Sequence, residues 1–201
     1  MHDTTVSDLA PLERAFHLER FRDYLALEAG NSAHPVDNYL RDIRRLVAHA
    51  GPGGARILRF ELVRQPPPAA GGRVLLEHPM ALDPRASWLL RCDRVDFERG
   101  AVAPLHGHRG GGIRCLLRGR LDVTVGEAPT RAMRPWDAWF ESGREPVLAV
   151  ASKDEDTSFV RVAVLPAEIR GHSSIVYVNA ADATRGRPRT YTVFVDEPIA
   201  L

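Results

Sequence analysis

The chain has 201 residues, 44% of them apolar, with 27 basic and 26 acidic side chains and a net charge of +1. That length and apolar fraction suffice for one sizeable core with an extra terminal element. The near balance of charge argues against a basic nucleic-acid footprint and a polybasic membrane patch, and no apolar run reaches the length of a bilayer span. The stretch Met1-His2-Asp3-Thr4-Thr5 lacks the basic-then-apolar pattern of an export signal. Cys92 and Cys115 both fall inside apolar runs and read as reduced core thiols, which points to the cytoplasm.

Residues 8–29 are predicted to be helical. Pro11 is tolerated near the start, Leu18, Phe21 and Leu25 share a face, and Gly30 supplies a stop. A second helix opens at Pro35, after which Val36, Tyr39, Leu40, Ile43 and Val47 recur at helical spacing as one apolar stripe. Gly51-Pro52-Gly53-Gly54 ends it. Residues 57–63 form a short apolar run, and Gln65-Pro66-Pro67-Pro68-Ala69-Ala70-Gly71-Gly72 reads as a linker.

From residue 73 the period changes. Short β-like runs at 73–78, 87–97, 113–118, 120–125, 136–140, 146–151, 158–165, 173–178 and 190–195 are punctuated by Gly, Pro, Asp and Ser. Runs of this kind predict an all-β sandwich or barrel, and no helical pattern alternates with them as a parallel α/β sheet would require. The expected organisation is a helical extension over residues 1–55 followed by a β-barrel domain over 56–201.

The stretch from Gly100 to Gly119 carries the chemistry. On an extended strand alternate side chains face the same way, so His106 and His108 project side by side and can share one metal ion. Gly110, Gly111 and Gly112 permit close backbone approach or a bulge. Arg161 lies on a run whose two faces are both largely apolar. A guanidinium there is costly to bury alone and calls for a carboxylate, from Glu145 or from a substrate. Arg91 and Arg114 are weaker candidates of the same kind. Trp88, Trp136, Trp139 and Phe140 read as core packing, His78 as a surface residue, Lys153-Asp154-Glu155-Asp156 as a polar turn, and Arg185-Gly186-Arg187-Pro188-Arg189 as a basic loop.

Gly100, Pro104, His106, His108 and Gly119 together resemble the first motif of the cupin superfamily, whose fold is a double-stranded β-helix (a jelly-roll barrel). The motif's glutamate position falls on Gly112. A three-histidine site without that glutamate resembles the cysteine and mercapto-acid (thiol) dioxygenase branch, as does the order of helices before barrel. The second motif is degraded: Gly143 fits its glycine, but Pro146 stands where a third histidine is expected. The Ser-His-Tyr relay of cysteine dioxygenases is replaced by Arg161 and Ala163 at its last two positions. The resemblance implies an all-β core with a divalent metal, Fe(II) first and Ni, Zn or Mn as alternatives, held by His106 and His108. Glu145, which adjoins the lost histidine, is the expected third ligand, with Glu141, His172 or water in its place. Arg161 is the expected anchor for the carboxylate of a small, thiol-containing or plain, acid that reacts with O2. Two other readings stay open: an O2-independent metal-dependent isomerase, lyase or hydrolase, and a non-enzymatic binding protein. Pairing into a homodimer through edge strands or the helical arm is a further expectation of the resemblance.

Overall fold

A computed structural model describes residues 57–64, 73–184 and 189–200. The chain divides into two compact units, residues 1–72 and 73–201. The two expected helices and the boundary at residue 56 lie outside the described residues. Residues 57–64 carry no regular secondary structure.

In the second unit ten strands run in chain order: β1 (Trp88–Phe97), β2 (Val102–His108), β3 (Gly111–Arg118), β4 (Leu121–Val125), β5 (Arg131–Met133), β6 (Ala138–Glu141), β7 (Val147–Ala151), β8 (Thr157–Pro166), β9 (Ile175–Tyr177) and β10 (Arg189–Ile199). Short 3-10 turns at Ala167–Ile169 and Ala180–Ala183 precede the last two. The strands form two five-stranded sheets, ordered β10-β1-β8-β3-β6 and β5-β4-β7-β2-β9, and every pairing is antiparallel. Strands 1 and 8, 2 and 7, 3 and 6, and 4 and 5 pair as nested partners. That is one long hairpin rolled on itself, the strand plan of a jelly roll. The all-β expectation holds, with β9 and β10 added as edge strands.

Two runs depart from the sequence reading. Residues 73–78 are irregular and mostly exposed, without a ladder partner. The short β5 was not expected; only its pairing with β4 makes it a strand. Cys92 and Cys115 are both free thiols.

The interior follows strand alternation. On β1 the buried face is Leu89, Arg91, Asp93, Val95 and Phe97. On β7 it is Val147, Ala149 and Ala151, and on β4 Leu121 and Val123. Val95 and Phe97 with the β4 and β7 residues join Leu116, Met133 and Trp139 in one core, while Leu89 packs with Ala163, Leu165 and Ile169 in a second. Arg91 is buried as a clamp, bonded through Nε and Nη2 to Asp196 and through its guanidinium to the carbonyls of Ile169 and His172. It stitches the loop after β8 to β10.

Candidate metal and anion site

Strict alternation along β2 would turn the two histidines outward. Ala103 is buried, so Leu105 would follow it inside and His106 would face solvent. The structure shows the reverse: Leu105 is exposed while His106 and His108 are buried. The ladder with β7 explains this. Ala103 pairs with Ala149 and His106 with Val147, so three steps on β2 match two on β7. The extra residue is a β-bulge, and Pro104, which has no N–H to leave unpaired, sits in it. The bulge reverses the parity and brings both rings inside.

The same bulge sets a proton. His106 Nδ1 lies 2.6 Å from the Pro104 carbonyl oxygen. A carbonyl only accepts, so Nδ1 carries the hydrogen and Nε2 of the neutral ring keeps a free lone pair. The two rings stand edge to face with centroids 4.9 Å apart. His108 Nδ1 is 3.4 Å from Ser174 Oγ, and β9 pairs along His106–His108, covering that edge.

A carboxylate completes the group from a neighbouring strand. Gly112 on β3 pairs with Glu141 on β6. A Cβ at Gly112 would come within 2.3 Å of the Val162 carbonyl oxygen and 2.6 Å of the Ala163 Cα, so no side chain fits there. The acid stands on the adjacent strand instead. Glu141 Oε1 accepts from Trp139 Nε1 at 2.8 Å. Oε2 lies 2.8 Å from Arg114 Nη2 and 3.3 Å from His108 Nε2, but neither N–H is aligned on it, and it is buried without a directed hydrogen bond. Oε2 is thus ion-paired with Arg114 but takes no directed hydrogen bond, which leaves it acceptor capacity.

Cross-strand register lines up the remaining charges. Asp93 on β1, Arg161 on β8 and Arg114 on β3 sit directly opposite one another across three strands. Arg161 binds Asp93 through a two-point fork, Nε to Oδ1 at 3.0 Å and Nη2 to Oδ2 at 2.5 Å. The two adjacent guanidiniums would repel each other. Asp93 on one side and Glu141 on the other offset that. Arg114 also donates to the Gly112 carbonyl at 2.5 Å. Arg114, Arg161 and Glu141 line, with the two histidines, a cavity of about 30 Å³, closed elsewhere by Val95, Leu121, Val147 and Ala149. That is about the room one water occupies in the liquid.

The electrostatics follow from burial. His108 is pushed down to about 3, first by desolvation and against the pull of Glu141. His106 is lowered mainly by desolvation, with the Pro104 bond opposing. Both imidazoles are therefore neutral near pH 7. Burial alone would raise Glu141, but the Arg114 guanidinium, His108 and Trp139 outweigh it and hold the carboxyl below the usual range. Burial lowers Arg114 to about 10, with Glu141 opposing, so it stays charged.

These shifts share a sign. As pH falls from about 6.5 toward 3, unfolded chains protonate His108 while folded ones do not, so stability present above 6.5 is lost. Glu141, ordinarily at 4.5 and depressed here, adds a loss as pH drops through that value. The denaturation midpoint of metal-stripped protein is expected to fall steadily from pH 7 to pH 4. His108→Gln should flatten the upper part of that slope; an unchanged slope would contradict the assignment.

The structure brings His106, His108, Glu141 and Arg161 around one cavity. Glu145 is not among them. It is exposed, held by the Ser142 hydroxyl in the β6–β7 turn, and its side chain packs beside Gly126. Of the expected third-ligand candidates, Glu141 faces the cavity and Glu145 does not, since position 145 lies beyond the end of β6 while position 141 alternates inward with Trp139. His172 is also exposed and offers only its carbonyl, to Arg91. His78 is exposed and stacks on Phe140. Arg161 is buried as expected, but its partner is Asp93, not Glu145 or a substrate. Two residues escaped the sequence reading. Asp93 had a signal, an acid at alternate spacing on an apolar strand. Arg189 was assigned to a basic loop, yet it is buried at the start of β10.

No family model matches this chain, and no curated protein matches it. Among solved structures it resembles the DMSP lyase DddQ from Ruegeria pomeroyi DSS-3, at 20% identity and TM-score 0.38, over 44% of this chain and 43% of that one. It also resembles a cupin-like protein from Thermotoga maritima, at 24% identity and TM-score 0.35, over 37% and 56%. An RmlC-like cupin from Shewanella frigidimarina is matched over 94% of its length and 45% of this chain, at 14% identity and TM-score 0.34. The chain spans about half the length of the first two. Among the described residues no helix is long and apolar enough to cross a membrane. The nested strand pairing makes the fold of this chain a double-stranded β-helix, a jelly-roll barrel, with the histidine pair turned into it.

Proposed function

We propose that this chain is a metal-dependent enzyme in which His106, His108 and Glu141 hold one divalent ion, Fe(II) first, and that it uses O2 to oxidise a small carboxylic acid. One observation carries the reading. A single buried cavity joins two neutral imidazoles to an ionised carboxylate whose Oε2 has no aligned donor. Two histidines and one carboxylate with open positions suit non-haem Fe(II) oxygenase chemistry. When bound, such an ion supplies a place for O2 and the acid to meet.

The chain's own residues prepare that place. The Pro104 carbonyl holds the His106 proton on Nδ1. Arg114 and Trp139 hold Glu141 in its ionised form and fixed orientation. The apolar wall of the cavity excludes bulk water. Among the described residues no three or more His, Cys, Asp or Glu side chains already stand arranged to hold a metal ion, so an ion would have to draw His106, His108 and Glu141 together around itself.

Metal analysis of the purified chain, with oxygen-uptake assays on small acids, tests the reading. About one iron per chain and acid-dependent O2 consumption are expected, and His106→Ala should weaken metal binding by more than the roughly 10–100-fold of an outer-shell loss. Turnover that persists without oxygen would shift the chemistry to an isomerase, lyase or hydrolase. A chain that takes up no divalent metal overturns the proposal.

A further inference from the structure

We infer that Arg189, held by Tyr177, forms a carboxylate-binding subsite in the wall of the barrel cavity. Three guanidiniums border this cavity: Arg114, Arg161 and Arg189. Two of them are matched, Arg114 by Glu141 and Arg161 by Asp93. Arg189 has no carboxylate partner among the described residues, although only 7% of its surface is exposed. Its Nη2 donates to the Tyr177 hydroxyl at 3.0 Å, and its guanidinium carbon lies 5.8 Å from the Phe97 ring centroid. Its Nε is buried and bonded to nothing.

A guanidinium is costly to bury without an anion, so this arrangement is built for one that arrives. The β1–β10 register places Arg189 opposite Phe97, and Tyr177 pins one arm of the fork, so the plane is set in advance. The open Nε–H and the free side of the fork match the two oxygens of a carboxylate. Tyr177 lies beside His106, ring centroids 6.2 Å apart, so a bound carboxylate stands next to the imidazole pair. The ligand that such a fork selects is an acid. Calling that acid the substrate rests on the function proposed above; the subsite itself stands without a metal.

The test uses the metal-stripped full chain and compares acetate with acetamide, its uncharged analogue of similar shape, by thermal denaturation and titration at matched ionic strength. Acetate is expected to raise the melting temperature and acetamide to leave it unmoved. Arg189→Gln should weaken acetate binding on the order of ten- to a hundredfold, the loss expected for hydrogen bonds to a charged group. Tyr177→Phe, which keeps the cation and frees it from its anchor, should weaken binding less and carries the test if Arg189→Gln fails to fold. Equal responses to acetate and acetamide, an acetate response unchanged in folded variants, or binding of inorganic phosphate in preference to acetate overturns the subsite. Metal uptake without an acetate response removes this inference alone. An acetate response without metal uptake removes the metal reading alone.

Discussion

Asp93→Asn is expected to destabilise the chain by about 3–5 kcal/mol, the usual cost of removing one partner from a buried ion pair. For a domain of this size that is a fall in melting temperature of roughly 6–20 °C. The reason is local. Arg161 is buried on the central strand of its sheet, directly opposite Arg114 on one side and Asp93 on the other. Burial would lower the Arg161 guanidinium, and Asp93 outweighs it, so the cation keeps its charge. With the carboxylate neutralised, two guanidiniums face each other and only Glu141 remains to offset them. A double variant, Asp93→Asn with Arg161→Met, should recover much of the loss, because it removes the stranded charge along with its partner. A single variant that melts with the parent would show that the pair is not what holds these strands.

The second large effect separates two glutamates that lie four residues apart. Glu141→Gln leaves Arg114, almost wholly buried, without its carboxylate, and takes the open oxygen out of the cavity. It is expected to cost about 3–5 kcal/mol in denaturant melts and to weaken divalent-metal binding by more than about 100-fold. Glu145→Gln neutralises an exposed side chain that is bonded to Ser142 in the turn. Its stability cost should stay within about 0.5 kcal/mol, as for surface substitutions in general, and metal binding should not change. Metal titrations of the two variants side by side decide the matter. The opposite pattern, with position 145 sensitive and position 141 silent, would remove Glu141 from the site.

These expectations come from one design. The barrel encloses several buried ionised groups, and each is placed by register, not by proximity in sequence. Asp93 and Arg161 are 68 residues apart and Arg91 and Asp196 are 105 apart. The cavity near the histidines is polar on one wall, with the apolar core of the same barrel forming the other. That low-dielectric wall is what drives both imidazoles toward the neutral form a metal requires.

Much of this was determined by the sequence itself. Period-two runs broken by turn residues specify strands wherever a buried face exists, which is why most of the β-runs appear near their expected bounds. The histidine pair with its flanking proline and glycines was legible for the same reason, since two residues one apart on a strand must share a face. The carboxylate that faces the histidine pair was not legible. Counting along the chain favoured Glu145, while the strand ends before that position and Glu141 alternates inward. Nor does any local pattern announce the bulge at Pro104, without which His106 and His108 would face water. Parity along a strand and pairing between strands are fixed only when the hairpin rolls up and one ladder must accommodate another. Tertiary structure alone therefore decided which charges meet, that the buried Arg189 has no acid beside it among the described residues, and which way the two rings turn.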